Sequence, residues 1–120
     1  MQDNKPNVIV DKTFEFALSI IEFVECLEAE RKYVVANQLL KSGTSIGANV
    51  REAQNSESKA DFIHKMKIAA KEADETEYWL LLCKQSKNYP DPDVLQRKIT
   101  EIIKILSKII SSSKSKIYSN

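Results

Sequence analysis

A chain of 120 residues whose 18 Lys and Arg nearly balance 17 Asp and Glu, for a net charge of +1, is the length of one domain and has no global field to draw it to nucleic acid or an anionic membrane. Two glycines and three prolines are too few for a loop-rich or β-rich fold. No apolar run approaches the length of a membrane span, and the opening "MQDNKPNVIV" lacks the basic start and apolar core of a secretory signal. The expected setting is therefore a reducing cytoplasm, with no membrane partner. Cys26 and Cys83 sit inside apolar periodic segments and read as small buried hydrophobes more than as a disulfide.

Four helices follow in chain order. Residues 1–10 read as a flexible polar arm, and Asp11 is a plausible cap for the first helix. Phe14, Ala17, Leu18, Ile21, Val24 and Leu27 then recur at steps of three and four, with Phe16, Ile20 and Phe23 widening the stripe. The charged run from Glu28 to Lys32 ends that helix. A second helix is expected from about Val34 to Gln54, with Val35, Leu39, Ser42, Ile46, Val50 and Ala53 near one face. "NSES" breaks the chain, and Ser58 with Asp61 fits an acidic variant of the capping box. The third helix, to about Lys87, carries Phe62, Met66, Ala69, Ala73, Thr76, Leu80 and Cys83 in a heptad-like seam and is roughly 40 Å long. Pro90 and Pro92 stop it, and Asp91 or Asp93 caps the fourth helix. There Val94, Leu95, Ile99, Ile102, Ile103, Leu106, Ile109 and Ile110 make a broad core face. The pattern predicts an all-α, antiparallel up-down four-helix bundle over residues 11–112, with a basic disordered tail at 113–120.

The run "QLLKSGTSIGANVRE" from Gln38 to Glu52 puts small and polar residues in the middle of a helix. A turn would reset the apolar period, whereas Ile46 and Val50 continue it. Two glycines in a helix cost about 1–2 kcal/mol against alanine, and close approach of another helix is the natural offset. Ser42, Gly43, Ile46, Gly47, Asn49 and Val50 are therefore read as a packing seam, inside the bundle or between subunits. A buried Asn49 needs partners and can set register. Glu52 is either paired to a lysine of a neighbouring helix or a solvated charge.

Chemistry is hard to find. His64 is the single histidine, without the company a metal site or a general base requires. The acids of "KEADETE" at 71–77 show no E-x-x-H spacing of a di-iron bundle and are expected to face water or pair with lysines. There is no P-loop and no dinucleotide fingerprint, so no catalytic residue, metal or cofactor is nominated. Tyr78 and Trp79 read as core anchors or subunit contacts rather than base-stacking platforms.

Charge distribution alone leans toward a function. Residues 1–57 hold six bases and nine acids, residues 58–120 twelve and eight, and from Arg97 onward six bases face Glu101 alone. Arg97, Lys98, Lys104, Lys108, Lys114 and Lys116 could hold a polyanion at its phosphates without reading sequence. Lys59, Lys65, Lys67 and Lys71 make the start of the third helix basic as well. A solvated helix beside a lysine-rich tail has the same sequence signature, although in a symmetric oligomer such patches repeat and merge.

Two stretches, "QLLKSGTSIGANVREA" with Gln38, Ser45, Ile46, Asn49, Val50 and Glu52, and "SKADFIHKMKIAAKEADETEYWL" with Phe62, Ile68, Ala69, Glu72 and Glu77, carry a resemblance. From about Lys12 to Ile110 the chain resembles the small bacterial four-helix bundle proteins encoded within intervening sequences of 23S ribosomal RNA genes, a family related to the accessory protein of diversity-generating retroelements. The resemblance implies an up-down bundle, a homo-oligomer in the form of a five-membered barrel-like ring, an RNA or nucleoprotein partner met through basic surface, and no catalytic residues. Members often have a basic pair after the glutamine. Here Leu39, Leu40 and Lys41 follow Gln38, so Lys41 and Arg51 are the second helix's remaining basic candidates. The alternative function is a protein-binding or purely structural module that leaves nucleic acid alone.

Overall fold

The computed structural model describes residues 7–118, with side chains through Ser115. Four helices run in order: α1 (Val8–Ala29), α2 (Tyr33–Ala53), α3 (Lys59–Gln85) and α4 (Asp93–Tyr118). They pack as an up-down bundle in which α1 lies against α2 and α4, and α3 against α2 and α4. The chain is all-α, as the periodicity predicts.

Local chemistry sets the ends. Asn7, not Asp11, caps α1: its side chain accepts a hydrogen bond from the Val10 N–H at 3.3 Å, and its Nδ2 donates to Gln54 Oε1 at the end of α2. Burial explains the earlier start, because Ile9 belongs to the core and draws the first turn in. Of the expected arm, residues 1–6 lie outside the described residues. At the α1–α2 turn, Lys32 N–H reaches the Leu27 carbonyl at 2.8 Å and Arg31 N–H the Glu28 carbonyl at 2.9 Å, the paired bonds of a Schellman cap. That cap places Arg31 at φ 62°, where glycine is usual. Ser58 caps α3 by accepting from Asp61 N–H at 3.0 Å, while Asp61 Oδ2 accepts from Glu57 N–H at 3.3 Å. Asp91 Oδ1 accepts from Asp93 N–H at 3.1 Å. Lys84 near the end of α3 pairs with Asp93 at 2.8 Å and Asp91 at 3.4 Å, tying α3 to the start of α4.

The core corrects the expected face of α1. Ile9, Thr13, Phe16, Ile20, Val24 and Leu27 point inward, whereas Phe14, Leu18 and Ile21 are exposed. A helix apolar around most of its circumference does not declare its inner side. The buried side is the one whose Thr13 and Ile20 approach the glycines of α2. Cys26 is exposed and only Cys83 is buried, because residue 26 falls on the outward side once α1 is turned this way. Burial pushes the Cys83 thiol up to about 11, so it stays protonated and inert. In α3 the seam from Met66 through Ala69, Ala73, Thr76 and Leu80 to Cys83 is buried. In α4, Leu95, Ile99, Ile102 and Leu106 are buried and Val94 is exposed. The tail expected from residue 113 is helix through Tyr118, and Ser113 is 8% exposed, which extends the packed face of α4 by another turn.

Candidate nucleic-acid interface

Helix α4 carries the basic candidates on different sides. Arg97, Lys104 and Lys108 are exposed, and their spacing of seven and four aligns them along one outward face, about 16 Å from end to end. The acid inside that row is Glu101, and it is engaged by the Lys12 ammonium of α1; the contact holds Lys12 above its ordinary value through the Glu101 hydrogen bond and charge. Lys104 and Lys108 have no ion-pair partner among the described residues. Arg97 adds its charge to the field that keeps Asp93 below the usual carboxylate range, an effect led by the Lys84 hydrogen bond.

The other bases lie elsewhere. Lys98 turns toward α1 and donates to Ser19 Oγ at 3.2 Å. Lys114 is partly buried. Lys116 lies outside the residues whose side chains are described. Lys41 and Arg51 are exposed on α2, which does not touch α4, so they are separate from the α4 row. Arg51 sits with its guanidinium carbon 5.9 Å from the Phe14 ring centroid. At the start of α3, Lys65 pairs with Asp61 at 3.2 Å and Lys59 lies over the Phe62 ring at 5.9 Å. His64 is exposed.

The small-residue run lies at two helix contacts. A side-chain carbon added to Gly43 would come within 2.8 Å of Ile20, and one added to Gly47 within 3.2 Å of the Thr13 carbonyl oxygen. Both glycines therefore lie where α1 crosses closely. On the other side, Ser42 and Thr76 join α2 to α3 through a buried hydroxyl–hydroxyl bond of 2.9 Å. Ile46 and Val50 are fully buried. Asn49 is partly buried and donates to the Ser45 carbonyl of its own helix at 2.8 Å; Glu52 is exposed. Trp79 packs against the core and meets Tyr78 edge to face at 5.8 Å, while Tyr78 itself is exposed.

Sequence reasoning missed two things here. One is the neutralisation of Glu101 by Lys12, a contact between residues 89 positions apart that no local spacing could reveal. The other is the outward turn of Phe14, Leu18 and Ile21, for which the sequence offered only the breadth of the α1 stripe.

Among the described residues, no group of three or more His, Cys, Asp or Glu could hold a metal ion, and no helix is long and apolar enough to cross a membrane. The fold is an all-α, up-down four-helix bundle. Residues 5–108 match the family described as 23S rRNA-intervening sequence protein, and the chain belongs to that family. A crystal structure of a protein of unknown function from the S23 ribosomal protein family of Bacteroides thetaiotaomicron superposes with a TM-score of 0.81 at 46% identity, covering 85% of this chain and 97% of that one. No curated protein matches the chain.

Proposed function

We propose that this protein is a non-enzymatic, cytoplasmic, homo-oligomeric helical scaffold that binds structured RNA through repeated basic surfaces. The observation that carries the reading is the row Arg97, Lys104 and Lys108 on one exposed face of α4, whose intervening acid Glu101 is engaged by Lys12. Three bases at that spacing follow a phosphate backbone without reading base identity. One row is a weak site. Repetition around an oligomer, for which the resemblance implies five copies, multiplies it and gives affinity by avidity. The family's relation to the retroelement accessory protein, which the sequence resemblance implies, would point the same way, to a nucleoprotein partner met through basic surface.

The test is binding of the full chain to a base-paired RNA hairpin across a salt series. Affinity falls as salt rises, and the triple change Arg97→Gln, Lys104→Gln, Lys108→Gln weakens binding to unrelated hairpins alike. It also flattens the log–log salt slope by about 0.7–0.9 for each phosphate that the variant no longer neutralises. Unchanged affinity in the triple variant removes the α4 surface. The alternative, a protein-binding or structural module, draws on the exposed apolar residues and gains if the native chain binds no hairpin at about 0.15 M salt.

A further inference from the structure

The outward side of α1 repeats in steps of three and four: Asp11, Phe14, Leu18, Ile21, Glu25 and Glu28, all exposed. On a helix that spacing makes one continuous ridge, about 26 Å long. Its centre is apolar, with Phe14 53%, Leu18 49% and Ile21 41% exposed, and both of its ends are acidic. The core uses none of these three apolar side chains. Beside Phe14, Ala17 of α1 and Gly47 and Ala48 of α2 line a groove. Contiguous exposed apolar surface along a groove between helices marks an interaction site.

The charge around the ridge selects its occupant. Asp11, Glu25 and Glu28 form no ion pair among the described residues, and the other acids of α1, Glu15 and Glu22, are exposed as well. The one base of α1, Lys12, engages Glu101 of α4. The next turn and α2 add Arg31, Lys32, Lys41 and Arg51 against Glu30 and Glu52. Lys32 lies over the Tyr89 ring, and Arg51, over the Phe14 ring, is the base that lines the groove. Residues 8–53 thus hold seven acids and five bases, and the ridge itself holds acids alone. Such a surface repels RNA phosphates and anionic lipid. We propose that it docks a basic amphipathic helix of another protein. The apolar stripe of that helix lies against Phe14, Leu18 and Ile21, and its lysines or arginines reach Asp11, Glu25 and Glu28. The bundle then has two surfaces of opposite chemistry, this ridge for basic protein and the Arg97, Lys104 and Lys108 row for a polyanion. The inference goes beyond the RNA reading above and does not depend on it.

Fluorescence anisotropy on the full chain at about 0.15 M salt tests this with labelled peptides of about 18 residues, long enough as helices to span the ridge. The first is a leucine/lysine helix with its leucines at steps of three and four. The second replaces the lysines by glutamates. The third has the composition of the first with the stripe scrambled. The leucine/lysine helix binds, and the other two bind at least about tenfold more weakly. Leu18→Gln weakens its binding about tenfold. The double change Glu25→Lys, Glu28→Lys weakens it by about as much and improves binding of the leucine/glutamate helix. Asp74→Lys with Glu77→Lys makes the same change of charge on the Tyr78 face of α3, which Lys71 shares, and leaves binding unchanged. All the substituted positions are exposed, and a native helical circular dichroism spectrum verifies that each variant folds. No binding of the first peptide, equal binding of all three, equal loss from the α3 charges, or indifference to Leu18→Gln overturns the docking surface. A native oligomer that Leu18→Gln takes apart, in light scattering after size exclusion, also overturns it, because a second copy then covers the ridge.

Discussion

Toward α1, helix α2 presents Gly43 and Gly47; toward α3 it presents Ser42, bonded to Thr76. The first seam is made by volume that is missing. Ile20 and the Thr13 backbone occupy space that any side chain on the glycines would claim, and the Thr13 hydroxyl is satisfied within its own helix by the Ile9 carbonyl at 2.7 Å. The second seam is made by a directional bond set among Met66, Ala69 and Ala73. One helix thus meets two neighbours by different means: close approach on one side, and a single buried polar pair that fixes register on the other. No ion pair joins α2 to either neighbour among the described residues. Failure should therefore look different on the two sides, steric at the first and a matter of unpaired hydroxyls at the second.

The largest effect of a single added methyl is expected at Gly43. An alanine there puts its Cβ 2.8 and 2.9 Å from two carbons of Ile20, a fully buried, β-branched side chain with little rotamer freedom. Overpacking of about 1–3 kcal/mol outweighs the helix propensity gain of about 1 kcal/mol, so Gly43→Ala lowers the urea midpoint. Gly47→Ala meets Thr13 at 3.2 Å and stays within about 1 kcal/mol of the parent, because the propensity gain offsets the tighter contact. Gly47→Leu, too large for that approach, falls with Gly43→Ala. A stabilised Gly43→Ala would show that close approach is not what the glycine serves.

At the other seam the expected effects are of similar size and asymmetric. Thr76 Oγ1 also lies 2.8 Å from the Glu72 carbonyl, whereas Thr76 is the hydrogen-bond partner of the Ser42 hydroxyl among the described residues. Ser42→Ala leaves Thr76 satisfied and loses about 1 kcal/mol. Thr76→Val strands the buried Ser42 hydroxyl and loses about 2 kcal/mol. The double variant loses less than the sum, since nothing is then left unpaired. Additive losses in denaturant melts would mean that the hydroxyls act independently and the register argument fails.

The turn that closes the α1–α2 hairpin sharpens the contrast in the favourable direction. Arg31 holds φ 62° with its backbone engaged in the Schellman bonds, a conformation that is strained for a residue bearing a Cβ. Arg31→Gly is expected to stabilise by about 0.5–1 kcal/mol, after the extra entropy glycine loses on folding. Amide exchange should slow for the turn of α1 and α2 and leave α3 unaffected. Destabilisation instead would assign the Arg31 side chain a packing role that outweighs the backbone strain.

Periodicity alone revealed four helices, their order and the buried seams of α2 and α3, because Leu39, Ser42, Ile46, Val50 and the run from Met66 through Ala69, Ala73, Thr76 and Leu80 to Cys83 recur at unbroken steps of three and four. It failed on α1, where apolar residues nearly encircle the helix and only the neighbour decides which are buried. Length failed at the termini for the same reason: Ile9 and Ser113 are held by burial, which no cap rule reports. For the candidate interface, the sequence supplied the bases and not their arrangement. The seven-and-four spacing of Arg97, Lys104 and Lys108 is visible in the letters. That Lys98 turns to Ser19 and Lys12 engages Glu101 depends on how α1 and α4 meet.

The smallest expected effect follows acid. The α2–α3 connection depends on Asp61, which accepts from Lys65 and from the Glu57 N–H; the Lys65 hydrogen bond leads in holding its carboxyl below the ordinary 3.8. A carboxyl whose pKa is lower folded than unfolded favours the folded state when ionised. Its contribution is present in full above pH 3.8, and is lost as pH falls below that value through the folded one. The glycine seam contains no titratable group and contributes equally at every pH. The gap in melting temperature between the native chain and Asp61→Asn should therefore be widest near neutrality and close in acid, while the gap for Gly43→Ala stays constant. Because Asp61 and Lys65 are partly exposed, the gap is small and shrinks further in salt. A gap for Asp61→Asn that persists unchanged below the carboxylate range would assign its effect to the shape of the cap rather than to its charge.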